Sequence, residues 1–305
     1  MKNIDTLGED GYRRYVKRNP QGIRRCLLSW IISVLFLTGA VIFFYATEPI
    51  TVNFIDVGQG DACFIQGGKG GDILIDGGDQ GSGNIIKNYL ISNGIYSLDG
   101  VFISHFHADH MLGIMELMDM GYPIKCFYVS HMETGVELEK EFYEEISKRS
   151  IPVNKVKTGD KLQLGCMKYE VLWPGEKEDE YDLNNGSIVL RIDYGENSFL
   201  TAGDIEKATE KEIVDEYKER LDVDVIKVSH HGSNTSSTDE FLDATTPQYA
   251  VFPVGYGNRY SNPSKKVVDR IENVTEGIWR TDINGTVSFT INEEKIKNVR
   301  YTDKF

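Results

Sequence analysis

Five of the six histidines fall in two short clusters, His105-Phe106-His107-Ala108-Asp109-His110 and His230-His231-Gly232-Ser233. The first cluster packs three imidazoles and a carboxylate into six positions, directly after an apolar run over 100–104. Neutral imidazole nitrogen and carboxylate oxygen are the donors that zinc, manganese and iron share. Folding alone has no use for that density of histidine, so the segment predicts a metal site. If a strand ends at Ser104 and the chain turns, His105 and His107 face one cavity. Asp109 and His110 then open the next helix and face a second ion beside the first. Two divalent ions about 3.5–4 Å apart activate a water and clamp the reacting oxygens of a displacement. The expected chemistry is metal-dependent hydrolysis.

The elements around these clusters read as strands and helices intermixed, with no internal repeat. Strands are predicted over 50–57, 62–66 and 72–75, with the turn Gly67-Gly68-Lys69-Gly70-Gly71 between the last two. A loop Asp76-Gly77-Gly78 and a helix over 84–93 follow. The strand 101–104 delivers the first cluster, and a helix over 109–118 follows it. Further strands are expected at 124–130, 153–156, 167–173, 187–194, 198–201, 224–228, 249–253, 277–280, 286–291 and 297–301. Helices are expected at 136–148, 205–218 and 263–273. Ser237 and Glu240 form a capping box for a short helix ending at Ala244. The strand 224–228 delivers His230 and His231. This pattern predicts one α/β domain over 50–305, its sheets covered by helices.

The chain of 305 residues carries a net charge of −14. Residues 1–49 hold seven basic and four acidic residues, a net of +3, which leaves −17 on residues 50–305. So acidic a body gives no broad help in binding a polyanion. It argues against an extended nucleic-acid groove, not against a metal site that grips one phosphate. Leu27 to Ala46 is free of charge and, at about 1.5 Å per residue, would span roughly a bilayer core. Arg24 and Arg25 precede it. The excess of basic residues places the N-terminus in the cytoplasm and the rest outside. The expected organisation is a basic cytoplasmic tail over 1–26, an anchor in the lipid bilayer over 27–46 and an extracellular domain over 50–305. A cleaved signal peptide is the alternative, but Phe44-Tyr45-Ala46 is a poor cleavage site. The four cysteines contain no CxxC pair, so neither a zinc knuckle nor a redox motif is supported.

His-x-His-x-Asp-His after a buried strand resembles the signature of the metallo-β-lactamase superfamily. Further segments occur in an order that narrows the resemblance. They are Phe54-Ile55-Asp56-Val57-Gly58-Gln59-Gly60-Asp61-Ala62, Ile73-Leu74-Ile75-Asp76-Gly77-Gly78, Asn184-Asn185-Gly186-Ser187, Leu200-Thr201-Ala202-Gly203-Asp204 and His230-His231-Gly232-Ser233. Together they resemble the hydrolase domain of the ComEC-type competence family. The resemblance implies a four-layered αββα sandwich behind one N-terminal transmembrane helix, with two divalent metal ions, Zn²⁺ or Mn²⁺, at one edge. His105 and His107 would hold the first metal, Asp109 and His110 the second, and Asp204 would bridge them. Taken alone, Asp204 reads equally well as a helix cap before Ile205. One of His230 and His231 would complete the second metal. His231 is preferred, with His230 beside it as a proton donor or phosphate contact. Asp76 is expected to orient a ligand imidazole from behind. Many superfamily members supply a third histidine to the first metal. Here Asn184 and Asn185 stand in that region, in a supporting role, so the first site looks short of a ligand. His131 is the remaining histidine and reads as a surface residue.

Asp109 and His230 are the residues expected to act in catalysis. Ser233 and Asn234, small polar residues beside the metals, are expected to contact substrate. Tyr256, Asn258, Arg259 and Tyr260 lie in a loop that could line the cleft. The leading expectation is cleavage of a phosphodiester, with DNA implied by the resemblance; the charge of −17 leans toward a smaller diester. Hydrolysis of a lactam, lactone or thioester is the alternative from another reaction class. A non-catalytic anchored module is the third, and it has no need of the complete ligand set.

Overall fold

The computed structural model describes residues 20–46, 50–175 and 182–302. Its contacts separate residues up to Glu48 from those after it. The first unit is the helix α1 (Pro20–Ala46), opened by a proline whose missing amide hydrogen costs nothing at a helix start. It begins ahead of the expected anchor, Leu27–Ala46. Its stretch Gln21–Gly39 is long and apolar enough to cross a membrane, by length and composition. Trp30, Leu35 and Phe36 are among its exposed large side chains. Residues 1–19 of the expected basic tail lie outside the described residues.

The second unit is built on two sheets. Strands β1 (Ile50–Phe54), β2 (Cys63–Gln66), β3 (Asp72–Ile75), β4 (Gly100–Ile103), β5 (Phe127–Ser130) and β6 (Val153–Val156) join β14 (Val287–Ile291) and β15 (Ile296–Arg300). Their order is β15-β14-β1-β2-β3-β4-β5-β6, parallel from β3 to β6 and antiparallel elsewhere. The second sheet holds β7 (Lys161–Leu164), β8 (Met167–Trp173), β9 (Val189–Tyr194), β10 (Asn197–Thr201), β11 (Val225–Lys227), β12 (Tyr249–Phe252) and β13 (Gly277–Arg280). Its order is β13-β12-β11-β10-β9-β8-β7, parallel from β10 to β13.

Period-two alternation sorts the apolar residues into three layers. Cys63, Ile65, Ile73, Ile75 and Phe102 of the first sheet meet Tyr169, Phe199, Val225 and Val251 of the second between the sheets. Their neighbours Phe64, Leu74, Val101 and Ile103 point the other way. They pack on the helices α2 (Ser82–Ser92), α3 (Ala108–Asp119) and α4 (Glu137–Arg149) through Ile86, Leu90, Ile114, Leu117 and Phe142. On the far side Leu200, Ile226 and Phe252 pack on α5 (Lys207–Tyr217), α6 (Asp239–Thr245) and α7 (Lys265–Glu272) through Ile213, Phe241 and Val267. The layers are therefore αββα, as the resemblance implied.

Three local readings differ from expectation. β7 alternates only Leu162 and Leu164 with polar residues on a sheet edge, too weak a pattern to stand out. The capping box shifts by one residue. Thr238 is the cap, its Oγ1 accepting from the Phe241 amide at 3.3 Å, because Ser237 takes φ 53° and gives its amide to buried Glu210. α5 starts at Lys207 rather than at Ile205, so Asp204 does not cap it.

Parallel strands deliver their loops to one edge, and ligand sites in such sheets lie outside the carboxyl ends of the strands. Here β3 runs into Asp76, β4 into His105, β10 into Asp204 and β11 into His230 and His231.

Candidate metal centre

After β4 the chain is caught by Asp76. Its Oδ1 accepts from the Ser104 amide and its Oδ2 from the Ser104 hydroxyl, both at 2.7 Å. His107 is extended, with ψ 153°, and stands at the N-terminal end of α3, so Asp109 and His110 fall in the first helical turn. The backbone is held close by glycine. A Cβ on Gly113 would lie 1.9 Å from the Gly77 carbonyl oxygen, and one on Gly60 would lie 2.1 Å from the Asp109 oxygen. Those two contacts seat α3 on the loops that carry Asp76 and Asp61.

His110 is fully buried, and its Nδ1 donates to Asp76 Oδ2 at 3.0 Å. Its Nε2 therefore faces Asp204 Oδ2, 3.3 Å away. His231 Nδ1 donates to the Pro253 carbonyl at 2.9 Å. Its Nε2 lies 3.2 Å from Asp109 Oδ2 and 3.5 Å from Asp204 Oδ2. A proton fixed on Nδ1 leaves Nε2 as the donor to a metal. His105 Nε2 lies 3.0 Å from His107 Nδ1, a separation close to that of two nitrogens each about 2.0–2.1 Å from one ion. His105 Nδ1 has two hydroxyls within hydrogen-bond distance, Ser104 at 3.0 Å and Ser187 at 3.2 Å. His230 is more open, with Nε2 3.8 Å from Asp204 Oδ2 and Nδ1 3.4 Å from Glu206 Oε1.

The turn that presents the second pair is strained. His230 and His231 take φ 49° and 53°, and Asp76 takes φ 60°. Left-handed backbone costs a non-glycine residue about 1–2 kcal/mol, and strain of this kind concentrates at functional sites.

Two buried residues completed the centre that the sequence reading had not assigned. Lys227, the last residue of β11, is ion-paired with Asp61, donates to the Gly203 carbonyl at 2.9 Å and lies 3.9 Å from Asp204 Oδ1. Asp61 stands 3.3 Å from His231 Nδ1 and 3.7 Å from His110 Nδ1. The signal was a lysine on the same strand face as Val225, in an otherwise apolar run.

The electrostatics follow from burial and from this crowd of carboxylates. Burial opposes a proton on His231, but Asp204 and Asp61 outweigh it and push its pKa up to about 10. Burial is likewise overcome at His110 by Asp204 and Asp76, and its pKa rises well above the usual histidine range. His105 goes the other way, driven well down by burial and then by the His110 charge. Burial would raise Asp204 and Asp109, yet the neighbouring histidines hold both below the usual carboxylate range.

The donors fit divalent cations. His110 Nε2, His231 Nε2 and Asp204 Oδ1 are buried without a hydrogen-bond partner. The two imidazole atoms meet only carboxylate oxygens, at 3.3 and 3.2 Å and without hydrogen-bond geometry, and the three atoms border one small volume. Donor atoms of His105, His110 and Asp204 lie within 4.8 Å of one another, and so do those of Asp109, His110 and His231. Four carboxylates, of Asp61, Asp76, Asp109 and Asp204, face one Lys227 ammonium; the protons on His110 and His231 offset part of that charge, and cations would take their place.

The remaining expected residues take varied places. Asn185 Oδ1 accepts from the Glu206 amide at 3.1 Å and the Thr209 hydroxyl at 2.9 Å, bracing its loop against the start of α5. Asn184 lines the cleft over the centre, with His107, His230 and Ser233, and its buried Oδ1 has no hydrogen-bond partner. That cleft has a volume of about 550 Å³. Asn234 is exposed and is not among the residues lining it. His131 follows β5 and belongs to none of these donor groups.

The model of the metallo-β-lactamase superfamily matches residues 55–256. The chain belongs to that superfamily. ComE operon protein 3 of Bacillus subtilis is 28% identical over 284 residues, 85% of this chain and 36% of that protein. Competence protein ComA of Neisseria gonorrhoeae is 29% identical over 285 residues, 92% of this chain and 38% of that protein. The chain thus spans little more than a third of the length of these relatives. Among solved structures it is similar to CmlA, a diiron β-hydroxylase from Streptomyces venezuelae, with TM-score 0.53 and 16% identity over 80% of this chain and 54% of that one. It is also similar to the metallo-β-lactamase fold protein YhfI from Bacillus subtilis, with TM-score 0.50 and 11% identity over 76% of this chain and 96% of that one. These two likenesses show the shared fold.

Proposed function

We propose that this chain is a membrane-anchored, metal-dependent hydrolase of phosphodiester bonds, a nuclease of the competence type. One observation carries the reading: the Nε2 atoms of His110 and His231 and the carboxylates of Asp109 and Asp204 converge under an open cleft that Asp109, Asp204 and His231 line. His105, His107 and Asp204 would hold one divalent ion, and Asp109, His110, His231 and Asp204 a second, zinc or manganese. Bound there, such ions supply Lewis acidity toward phosphoryl oxygens and toward water. Asp76 and Pro253 orient the two buried imidazoles. His230 faces the cleft, and Glu206 beside its Nδ1 steers Nε2 inward, where a proton can pass to the leaving oxygen. The likeness to a protein named for competence favours DNA over a small diester. The helix Pro20–Ala46 would hold the chain in a bilayer with the following domain outside the cell.

The test is turnover by the purified chain, with Mn²⁺ or Zn²⁺, of single-stranded DNA, bis-p-nitrophenyl phosphate and a chromogenic lactam. Diester cleavage that a chelator abolishes is expected. Lactam cleavage without diester cleavage would overturn the reading. Protease access to the domain on intact cells checks the orientation.

A further inference from the structure

The loop 255–263 stands at the rim of the cleft and is held there rigidly. Asn258 Oδ1 accepts from the amides of Tyr260 and Asn262, each at 3.1 Å, and its Nδ2 donates to the Gly255 carbonyl at 2.9 Å and the Asn262 carbonyl at 2.6 Å. Both ends are tied to the metal loops. The Gly255 amide donates to Gln59 Oε1 at 3.3 Å, and the Ser264 amide donates to the Gly232 carbonyl at 2.8 Å. So braced a loop has no evident need of large exposed rings, yet Tyr256 is 72% and Tyr260 51% exposed. The Arg259 guanidinium lies 4.8 Å from the centre of the Tyr260 ring. Among the described residues lining the cleft, Arg259 is the one permanent cation.

We propose that Arg259 and Tyr260 form a nucleotide clamp: the guanidinium grips the phosphate next to the scissile one, and the ring stacks on an unpaired base. This rests on the phosphodiesterase reading and names its substrate class as single-stranded nucleic acid. Three observations select that class. A cleft of about 550 Å³ is the size of a small-ligand site and admits a nucleotide or two, not a duplex. An aromatic face can stack only on a base already out of the helix, and it does so whatever the base. A body of net charge −17 with one cation at the cleft engages few phosphates, which rules against the long phosphate track of a duplex.

The experiment uses the full chain with Ca²⁺ present. Binding of a labelled thymidine oligonucleotide and of its abasic counterpart is followed by fluorescence anisotropy. The thymidine strand should bind roughly tenfold more tightly. Tyr260→Ala should erase that preference, and Tyr260→Phe should keep it. Arg259→Ala should weaken both strands and lower the slope of log affinity against log salt by about 1. Turnover of methyl p-nitrophenyl phosphate, which has neither base nor second phosphate, should fall less in Arg259→Ala and Tyr260→Ala than turnover of the oligonucleotide. Equal affinity for the two strands, or a preference that survives Tyr260→Ala, overturns the clamp. Failure to cleave both the oligonucleotide and the small diester with Mn²⁺ or Zn²⁺, while the binding preference holds, overturns the phosphodiesterase reading and leaves base and phosphate binding at the rim standing.

Discussion

His105 follows β4 in one sheet and His231 follows β11 in the other, each at the carboxyl end of a central parallel strand. Their surroundings differ. His231 is 2% exposed, its Nδ1 is committed to the Pro253 carbonyl, and Asp61 with Lys227 stands behind it. His110, beside it, is committed to Asp76. His105 has two serine hydroxyls: Ser104 gives its proton to Asp76 and so accepts from Nδ1, while Ser187 can turn to donate or to accept, and its partner His107 sits at the cleft wall. A carbonyl or carboxylate fixes a tautomer directly, whereas a hydroxyl does so only through its own partner, here Asp76 behind Ser104. The lesson is that ligand count alone does not grade the two halves. The half around His110 and His231 is also the one whose imidazoles a carboxylate and a carbonyl hold directly before any ion arrives.

The largest test of that contrast is a pair of ligand deletions. His110→Ala should cut diester turnover by more than about 100-fold, beyond the range for outer partners, and should lose the tightly held ion in metal analysis. His105→Ala should keep one ion per chain while losing turnover. If both variants lose metal alike, the halves are equivalent and the comparison fails.

Gly113→Ala strikes the support of the ordered half without touching a ligand. The new Cβ would meet the Gly77 carbonyl oxygen at 1.9 Å, and a backbone atom cannot swing aside. A loss of about 3 kcal/mol in unfolding free energy is expected, with weakened metal binding because Gly77 follows Asp76. Gly121→Ala, where an added Cβ meets no atom within 4 Å, is the control for a glycine lost at φ 68°. Gly113 lies within α3 and not at positive φ, so a loss there no larger than the strain loss at Gly121 would mean that the close approach of α3 relaxes at little cost.

The ordered half should also reverse its pH response when metal is removed. Burial works against a proton on His231, Asp204 and Asp61 outweigh it, and the pKa stands at about 10 against 6.5 in the unfolded chain. A raised folded-state value gives stability that is complete below about pH 6.5 and lost as pH climbs toward 10. His110 shifts the same way. The chelated protein should therefore melt at a lower temperature at pH 9 than at pH 6. Metal binding must displace these protons, so the rise in melting temperature on adding Mn²⁺ should grow over the same interval. A chelated protein that melts higher at pH 9 would show that those histidines carry no proton in the metal-free state.

The sequence made the His105–His110 segment and the alternation of the strands plain, because both are local. The second layer of the centre is not local. Lys227 shares a face with Val225, and that alternation alone marks a charge on a buried surface. Its partner Asp61 comes from a loop after β1 in the opposite sheet, and no spacing connects the two. Asp204 was ambiguous for the opposite reason. An aspartate before a helical stretch is the commonest of caps, and only the late start of α5 at Lys207 removes that role. Asn184 and Asn185 read as one unit, yet one braces α5 and the other faces the cleft.

The finest distinction lies in what stands behind each imidazole. Asp76→Asn keeps the shape of the His110 partner and removes its charge. Outer partners of this kind are worth about 10–100-fold in metal affinity, and the Asp76 variant should fall in that range. Ser187→Ala removes one of two hydroxyls near His105 Nδ1 and the acceptor for the Asp204 amide, which lies 3.1 Å from it. Ser104 still faces the same nitrogen, so the loss should stay below about tenfold. Measured by competition with a chelating dye, the two numbers rank the halves without reference to turnover. Should Ser187→Ala prove the more damaging, the hydroxyl pair holds His105 as firmly as the carboxylate holds His110. The contrast between the halves would then rest on the missing third histidine alone.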